Sequence, residues 1–120
     1  MNSRPLRVVL AGCGAMSAEW LRVAARIPAL EIVGLVDVRL EAALERQRVF
    51  HLSSARVGTD LEAMLRDSRP DALFDVTVPE AHAENALLAF RYGVHVLGRN
   101  RWRTRWTRRD ARWMRLETRL

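Results

Sequence analysis

Three small residues near the start of the chain, Gly12, Gly14 and Ser17, and a carboxylate, Asp37, that follows Gly12 by 25 positions have the spacing to hold a phosphate and a sugar. A glycine at 12 permits a tight turn off a strand. A glycine at 14 lets the backbone approach a pyrophosphate with no Cβ in the way. A helix opening near Ala15 and Met16 aims its free N–H groups and the positive end of its dipole at the same phosphates. Asp37 lies near the roughly 20-residue offset expected for a ribose-binding acid. Its carboxylate would accept hydrogen bonds from ribose hydroxyls and repel a 2′-phosphate. Arg39, just beyond Val38, could stack on adenine or pair with that phosphate, so NAD and NADP both stay open. Two plainer readings stand beside this one: Asp37 as an ordinary helix N-cap, and an α/β domain that binds no nucleotide. Ser17 departs from Gly-x-Gly-x-x-Gly, but it is small enough for close helix–strand packing.

The elements that would position these residues alternate along the chain. An apolar strand, Leu6–Ala11, runs straight into the glycine turn, and a helix from about Ala15 to Arg26 follows, stopped by Pro28. Glu31–Val36 forms the second strand and ends at Asp37; Leu40–Phe50 forms the second helix. A short strand at Ala55–Val57 leads to Thr59, predicted to cap a helix through about Arg66 with Glu62 completing a capping box. Ala72–Val78 is almost wholly apolar, as expected of a strand covered on both faces, and Pro79 ends it. A helix over Glu80–Tyr92, closed by Gly93, leads to a fifth strand at Val94–Leu97. Strands alternating with helices predict an α/β, Rossmann-type parallel sheet with flanking helices, its ligand crevice at the carboxyl ends of the strands.

Composition bounds the rest. A chain of 120 residues with 49% hydrophobic content has room for one domain with a real core. The first apolar stretch is too short for a signal region or a membrane span, so the expected location is the cytoplasm. Cys13 is the single cysteine, which excludes an internal disulfide and suggests a small filler inside the turn. His51, His82 and His95 show no ligand spacing, and no metal site is expected. Charge is split: residues 1–98 carry 11 Arg against 12 acids, and residues 99–120 carry 9 Arg against Asp110 and Glu117. The net charge of +6 therefore comes from the tail, which also holds three of the four tryptophans. The chain divides into a 1–98 nucleotide-binding domain and a 99–120 Arg/Trp-rich tail.

Four segments, Gly12-Cys13-Gly14-Ala15-Met16-Ser17, Val36-Asp37, Asp75-Val76-Thr77-Val78-Pro79-Glu80-Ala81-His82 and Gly93-Val94-His95-Val96-Leu97-Gly98, occur in the order and spacing of a known family. Over residues 6–98 the chain resembles the N-terminal domain of the glucose–fructose oxidoreductase / inositol dehydrogenase (Gfo/Idh/MocA) family. The resemblance implies an NAD(P)-dependent oxidoreductase of sugars, cyclitols and related molecules, built from a Rossmann domain and a C-terminal substrate domain. It implies that Gly12, Gly14, Ala15 and Met16 line the pyrophosphate and that Asp37 holds the adenosine ribose, with Cys13, Val38 and Arg39 as further cofactor-binding candidates beside them. By the same resemblance Thr77, Val78, Pro79 and His82 lie on the loop after the fourth strand, between adenine and nicotinamide. For His82 a surface position at a helix start is the plainer alternative.

The pattern breaks after Gly98. The family continues Gly-Glu-Lys-Pro, its lysine acting on the substrate hydroxyl, whereas this chain continues Arg99-Asn100-Arg101. A neutral amide and an always-protonated guanidinium are no bases, so no catalytic residue is assigned. Back-translation of residues 98–110 with a single C added within the Gly98 codon spells Gly-Glu-Lys-Pro-Met-Ala-Asp-Ser-Leu-Asp-Glu-Ala-Arg. The fixed codons of Trp102 and Trp106 fall where that reading needs them. The expectation is a one-nucleotide deletion, an incomplete Rossmann domain followed by out-of-frame translation, and a substrate-domain frame downstream. The rival is a non-enzymatic nucleotide-sensing or interaction module. Its Trp102, Trp106, Trp113, Leu116 and Leu120 stripe, interrupted by Arg109, would meet an anionic membrane or nucleic acid. No specific nucleic-acid partner is expected, a substrate is expected only in a full-length homologue, and the oligomeric state is open.

Overall fold

Strand and helix alternate over the whole of residues 4–98, the part of the chain that the computed structural model describes. The order is β1 (Leu6–Ala11), α1 (Ser17–Ala25), β2 (Leu30–Val36), α2 (Leu40–Val49), β3 (Arg56–Gly58), α3 (Leu61–Ser68), β4 (Ala72–Asp75), α4 (Pro79–Arg91) and β5 (His95–Gly98). All pairings are parallel, and the strands lie side by side as β3-β2-β1-β4-β5. Parallel neighbours need long crossovers, which the helices supply. The order reverses direction between β1 and β4, the switch point at which open α/β sheets leave a crevice beyond the strand ends.

Val8, Val9 and Leu10 are all fully buried because β1 has a helix layer on each face. Val8 and Leu10 pack with Leu21 and Ala24 of α1 and Ala43 of α2. Val9 and Ala11 pack with Met64 and Leu65 of α3 and Ala89 of α4. Each large side chain so covered contributes about 1.5–3 kcal/mol. A strand buried on both faces has no polar side to alternate, hence its continuous apolar run. Trp20 leans on Phe74 with ring centroids 5.0 Å apart, extending the first of these layers over β4.

Several boundaries differ from those expected, and three of the differences have a visible cause. Helix α1 begins at Ser17 rather than Ala15, because the turn before it is held by tighter bonds: Ser17 N–H to Gly14 O at 3.1 Å, Ala18 to Ala15 at 3.3 Å and Glu19 to Met16 at 3.2 Å. Strand β4 stops at Asp75 rather than Val78, since the Asp75 carboxylate takes the Thr77 N–H and turns the chain. Asp60, not Thr59, caps α3, accepting the N–H groups of Glu62 at 3.1 Å and Ala63 at 3.4 Å. Glu62 closes no capping box; its carboxylate accepts from the Tyr92 hydroxyl at 2.8 Å and from Arg91, tying α3 to α4. Pro79 occupies the first turn of α4, where its missing N–H costs nothing.

At the amino edge of the sheet Asp71 accepts two bonds from the Arg4 guanidinium, at 2.8 and 3.0 Å, and one from the Arg7 N–H at 2.8 Å. Burial alone would raise the Asp71 pKa, but the hydrogen bonds and charges of Arg4 and Arg7 outweigh it and hold the carboxyl below its ordinary value. Among the described residues no helix is long and apolar enough to cross a membrane. Arg99, Asn100, Arg101 and the Trp102, Trp106 and Trp113 stripe lie outside the described residues.

Candidate functional site

The carboxyl ends of β1, β2 and β4 are laced together by backbone bonds: Gly12 N–H to Val36 O at 2.8 Å and Val76 N–H to Ala11 O at 2.8 Å. Gly12 has φ +95°, and a Cβ there would stand 2.6 Å from Val76 O and 2.8 Å from Thr77 N. Glycine is therefore demanded twice at this position, by the turn and by the adjacent β4–α4 loop. Gly14 is the opposite case: a Cβ there would meet nothing within 4 Å. Its side is open space. Among the described residues the N–H groups of Gly14, Ala15 and Met16 have no hydrogen-bond acceptor. Three successive free amides at the head of a helix form an anion cradle. Ser17, fully buried, fills the third-glycine position and donates its hydroxyl to Gly14 O.

Asp37 stands beside this turn. One carboxylate oxygen accepts the Cys13 N–H at 2.7 Å and the other the Arg39 N–H at 2.8 Å. It is not the N-cap of α2; that position belongs to Arg39, whose side chain makes no cap bond. Val38 and Arg39 project outward, Val38 89% exposed and Arg39 within 4.0 Å of Glu41. Each carboxylate oxygen keeps a lone pair for a further donor, the arrangement a ribose diol needs. Cys13 is buried, with its Sγ 3.6 Å from Val36 O. Burial above all, then the Asp37 charge, pushes its thiol up to about 12 against the opposing pull of Arg46. That thiol is a filler and no nucleophile. Among the described residues no histidine, cysteine and carboxylate group has the makings of a metal site.

The third part of the site is the β4–α4 loop. Asp75, only 1% exposed, accepts the Thr77 N–H at 3.1 Å, the Thr77 hydroxyl, and the Asn85 amide at 3.3 Å. Asn85 also donates to Thr77 Oγ1 at 3.1 Å. His82 Nε2 lies 2.9 Å from Thr77 O and 3.7 Å from the Asp75 carboxylate. A carbonyl oxygen only accepts, so Nε2 carries the proton. His82 lies in the first turns of α4, as does Pro79, and not on the loop expected from the resemblance; its partly exposed ring, 23% accessible, folds back onto that loop. Val78 is exposed at the loop's rim, ahead of Pro79.

The structure brings Gly12, Cys13, Gly14, Ala15, Met16 and Asp37 into one patch, places Val38 and Arg39 at its outer edge, and sets Thr77 against Gly12. Asp75, Asn85 and Arg46 were missed as site residues. Asp75 and Asn85 lie ten apart on either side of a turn, with no local pattern linking them. Arg46 lies mid-helix, where its reach to the first turn depends on the register of α2 against β1.

Residues 6–98 match the oxidoreductase family with an NAD-binding Rossmann fold, Gfo/Idh/MocA. The chain belongs to the Gfo/Idh/MocA family. Its cofactor class is accordingly the nicotinamide dinucleotides. The 4-hydroxy-tetrahydrodipicolinate reductase of Bacillus velezensis is 33% identical over 95 residues, 78% of this chain and 36% of that protein. The WlbA dehydrogenase of Bordetella pertussis, solved with NADH and UDP-GlcNAcA, superposes with a TM-score of 0.75 at 28% identity. It covers 95% of this chain and 34% of its own. A dehydrogenase from Chromobacterium violaceum gives a TM-score of 0.75 at 31% identity, over 81% of this chain and 28% of its own. The chain thus spans about a third of the length of these relatives.

Proposed function

We propose that residues 6–98 hold NAD or NADP across the carboxyl ends of β1, β2 and β4. The pyrophosphate lies on the amides of Gly14, Ala15 and Met16, and the adenosine ribose on Asp37, with Val38 and Arg39 beside the adenine. Thr77, Val78, Pro79 and His82 border the path toward the nicotinamide. When bound, the cofactor supplies a hydride acceptor or donor for a carbinol carbon. The protein's residues bind and orient it: Gly12 sets the turn, Asp37 fixes the ribose, and the Asp75–Thr77–Asn85 network stiffens the neighbouring loop. The observation that carries this reading is the run of three amides without an acceptor beside the space Gly14 leaves open.

For the parent enzyme we infer an oxidoreductase of sugar-like or cyclitol CH–OH groups, supported by the family resemblance and by the nucleotide sugar in the WlbA complex. The likeness to 4-hydroxy-tetrahydrodipicolinate reductases favours a second reading, a parent in that reductase class. As read, residues 99–120 carry Asn100 at the family's lysine position, and we attribute this segment to a one-nucleotide frame change. The chain then binds cofactor without turning over. We place it in the cytoplasm, where a nicotinamide coenzyme would be its ligand. Calorimetric titration with NADH and NADPH tests the assignment: saturable 1:1 binding of at least one supports it, and no heat up to millimolar ligand rejects it. Resequencing the coding DNA around codon 98 tests the frame change. A frame for a substrate domain just downstream is expected, and noncoding sequence in all frames contradicts it.

A further inference from the structure

Arg46 of α2 reaches across to the first turn, its Nε 3.4 Å from Cys13 O and its Nη2 3.2 Å from Gly14 O. These are the carbonyls of two successive peptide units at the cradle. In a planar trans peptide the C=O and the following N–H point in opposite directions. A guanidinium that holds the Cys13 carbonyl therefore fixes the Gly14 N–H on the far side. Holding the Gly14 carbonyl fixes the Ala15 N–H in the same sense. Asp37 grips the same segment from its other handle, the Cys13 N–H, at 2.7 Å. Gly14 O also accepts the N–H of Ser17, at 3.1 Å, and its hydroxyl, so Arg46 is one of three donors there. The two peptide planes are pinned, with two of the three unpartnered amides facing away from Arg46.

The geometry points to Arg46 as a positioning residue for dinucleotide binding, a clamp that aims the Gly14 and Ala15 amides at the pyrophosphate. It acts through the backbone and from the carbonyl side of the turn. It also turns two carbonyl dipoles, which would repel phosphate, toward a positive charge. Arg46 is suited to this task because its planar fork reaches two acceptors at once, which a lysine ammonium on a flexible stem does not reproduce. The inference rests on the assignment of the turn as the pyrophosphate site.

The test titrates the 120-residue chain and its Arg46→Met variant with NADH and, separately, with adenosine, which lacks the pyrophosphate. Arg46→Met keeps the length of the stem and removes the donors. NADH affinity is expected to fall about tenfold, the loss of a charge-assisted hydrogen-bonded arrangement, while adenosine affinity is unchanged. An unchanged NADH affinity overturns the clamp. So does an equal loss for both ligands, which is what a merely loosened fold would give. If Arg46→Met does not fold, Arg46→Lys, which retains the charge, is titrated instead. The same selective loss for NADH over adenosine supports the clamp, and its absence overturns it. Wild-type protein that binds no NADH at all rejects the pyrophosphate assignment itself, a result distinct from either Arg46 outcome.

Discussion

The Asp37 carboxylate accepts the Cys13 N–H at 2.7 Å, tying the end of β2 to the turn that leaves β1. Its second oxygen accepts the Arg39 N–H, so one side chain joins the first turn to the residue that precedes α2. Asp37→Asn keeps a single acceptor oxygen and loses the charge. It should weaken NADH by roughly tenfold, the worth of a charged hydrogen bond, and weaken NADPH less, because the repulsion of a 2′-phosphate goes with the charge. Competitive titration of the two cofactors against wild type and variant checks it. An unchanged NADH-to-NADPH ratio would remove Asp37 from cofactor selection.

Gly12 and Gly14 should respond in opposite ways to a methyl group. Gly12→Ala places a Cβ 2.6 Å from Val76 O at φ +95°, so thermal or denaturant unfolding should show a loss of about 2–4 kcal/mol. Gly14→Val sets its Cβ where nothing lies within 4 Å, so its unfolding midpoint should stay close to wild type while NADH affinity collapses. A Gly14→Val protein that binds as before would show that the pyrophosphate does not pass over this residue.

How far these relationships were legible beforehand depends on their range in sequence. The glycine turn, the carboxylate at 37 and the existence and order of the five strands are local patterns, and all are present, with strand ends that differ by up to three residues. The tight turn at residues 14–16 and the early end of β4 escaped because side chains and 3₁₀-type bonds override the apolar pattern at element ends. Asp60 displaced Thr59 as cap for a similar reason: both residue types suit the position, and only the backbone path selects one. Arg46 and Asn85 were out of reach, since their roles depend on how α2 and α4 dock on the sheet.

Asp75 and its partners form a buried polar unit, and breaking it should cost more than any one bond. Asp75→Ala strands the Thr77 N–H and hydroxyl and leaves the Asn85 amide only Thr77 Oγ1, and a loss of about 2–4 kcal/mol is expected. Thr77→Val alone should cost less, and a double-mutant cycle between Asp75 and Asn85 should give a coupling above about 0.5 kcal/mol. Additive losses would mean that the loop is held by its backbone and not by this network.

The acid limb of stability should trace to Asp71. Its folded pKa is held below the ordinary carboxylate value, so the stabilisation is complete above that value and is lost as pH falls through the folded pKa, below about pH 4. Asp71→Asn should flatten the pH dependence of the unfolding midpoint in that window and leave it unchanged between pH 6 and 8 apart from a constant offset. An acid limb of the same slope in the variant would assign it to other carboxylates.

The Cys13 thiol, pushed up to about 12, should resist alkylation in the folded protein at pH 8 and react at the normal rate once denaturant unfolds it. Rapid labelling of the native chain, followed by mass spectrometry, would show a turn more open than this structure.

The anion cradle itself is probed most directly by backbone-amide NMR of the 120-residue chain titrated with NAD. Shifts should be largest at Gly14, Ala15 and Met16, saturate together, and be reproduced by ADP-ribose but not by adenosine. Saturable shifts that leave those three amides unmoved would place the pyrophosphate elsewhere and contradict the account.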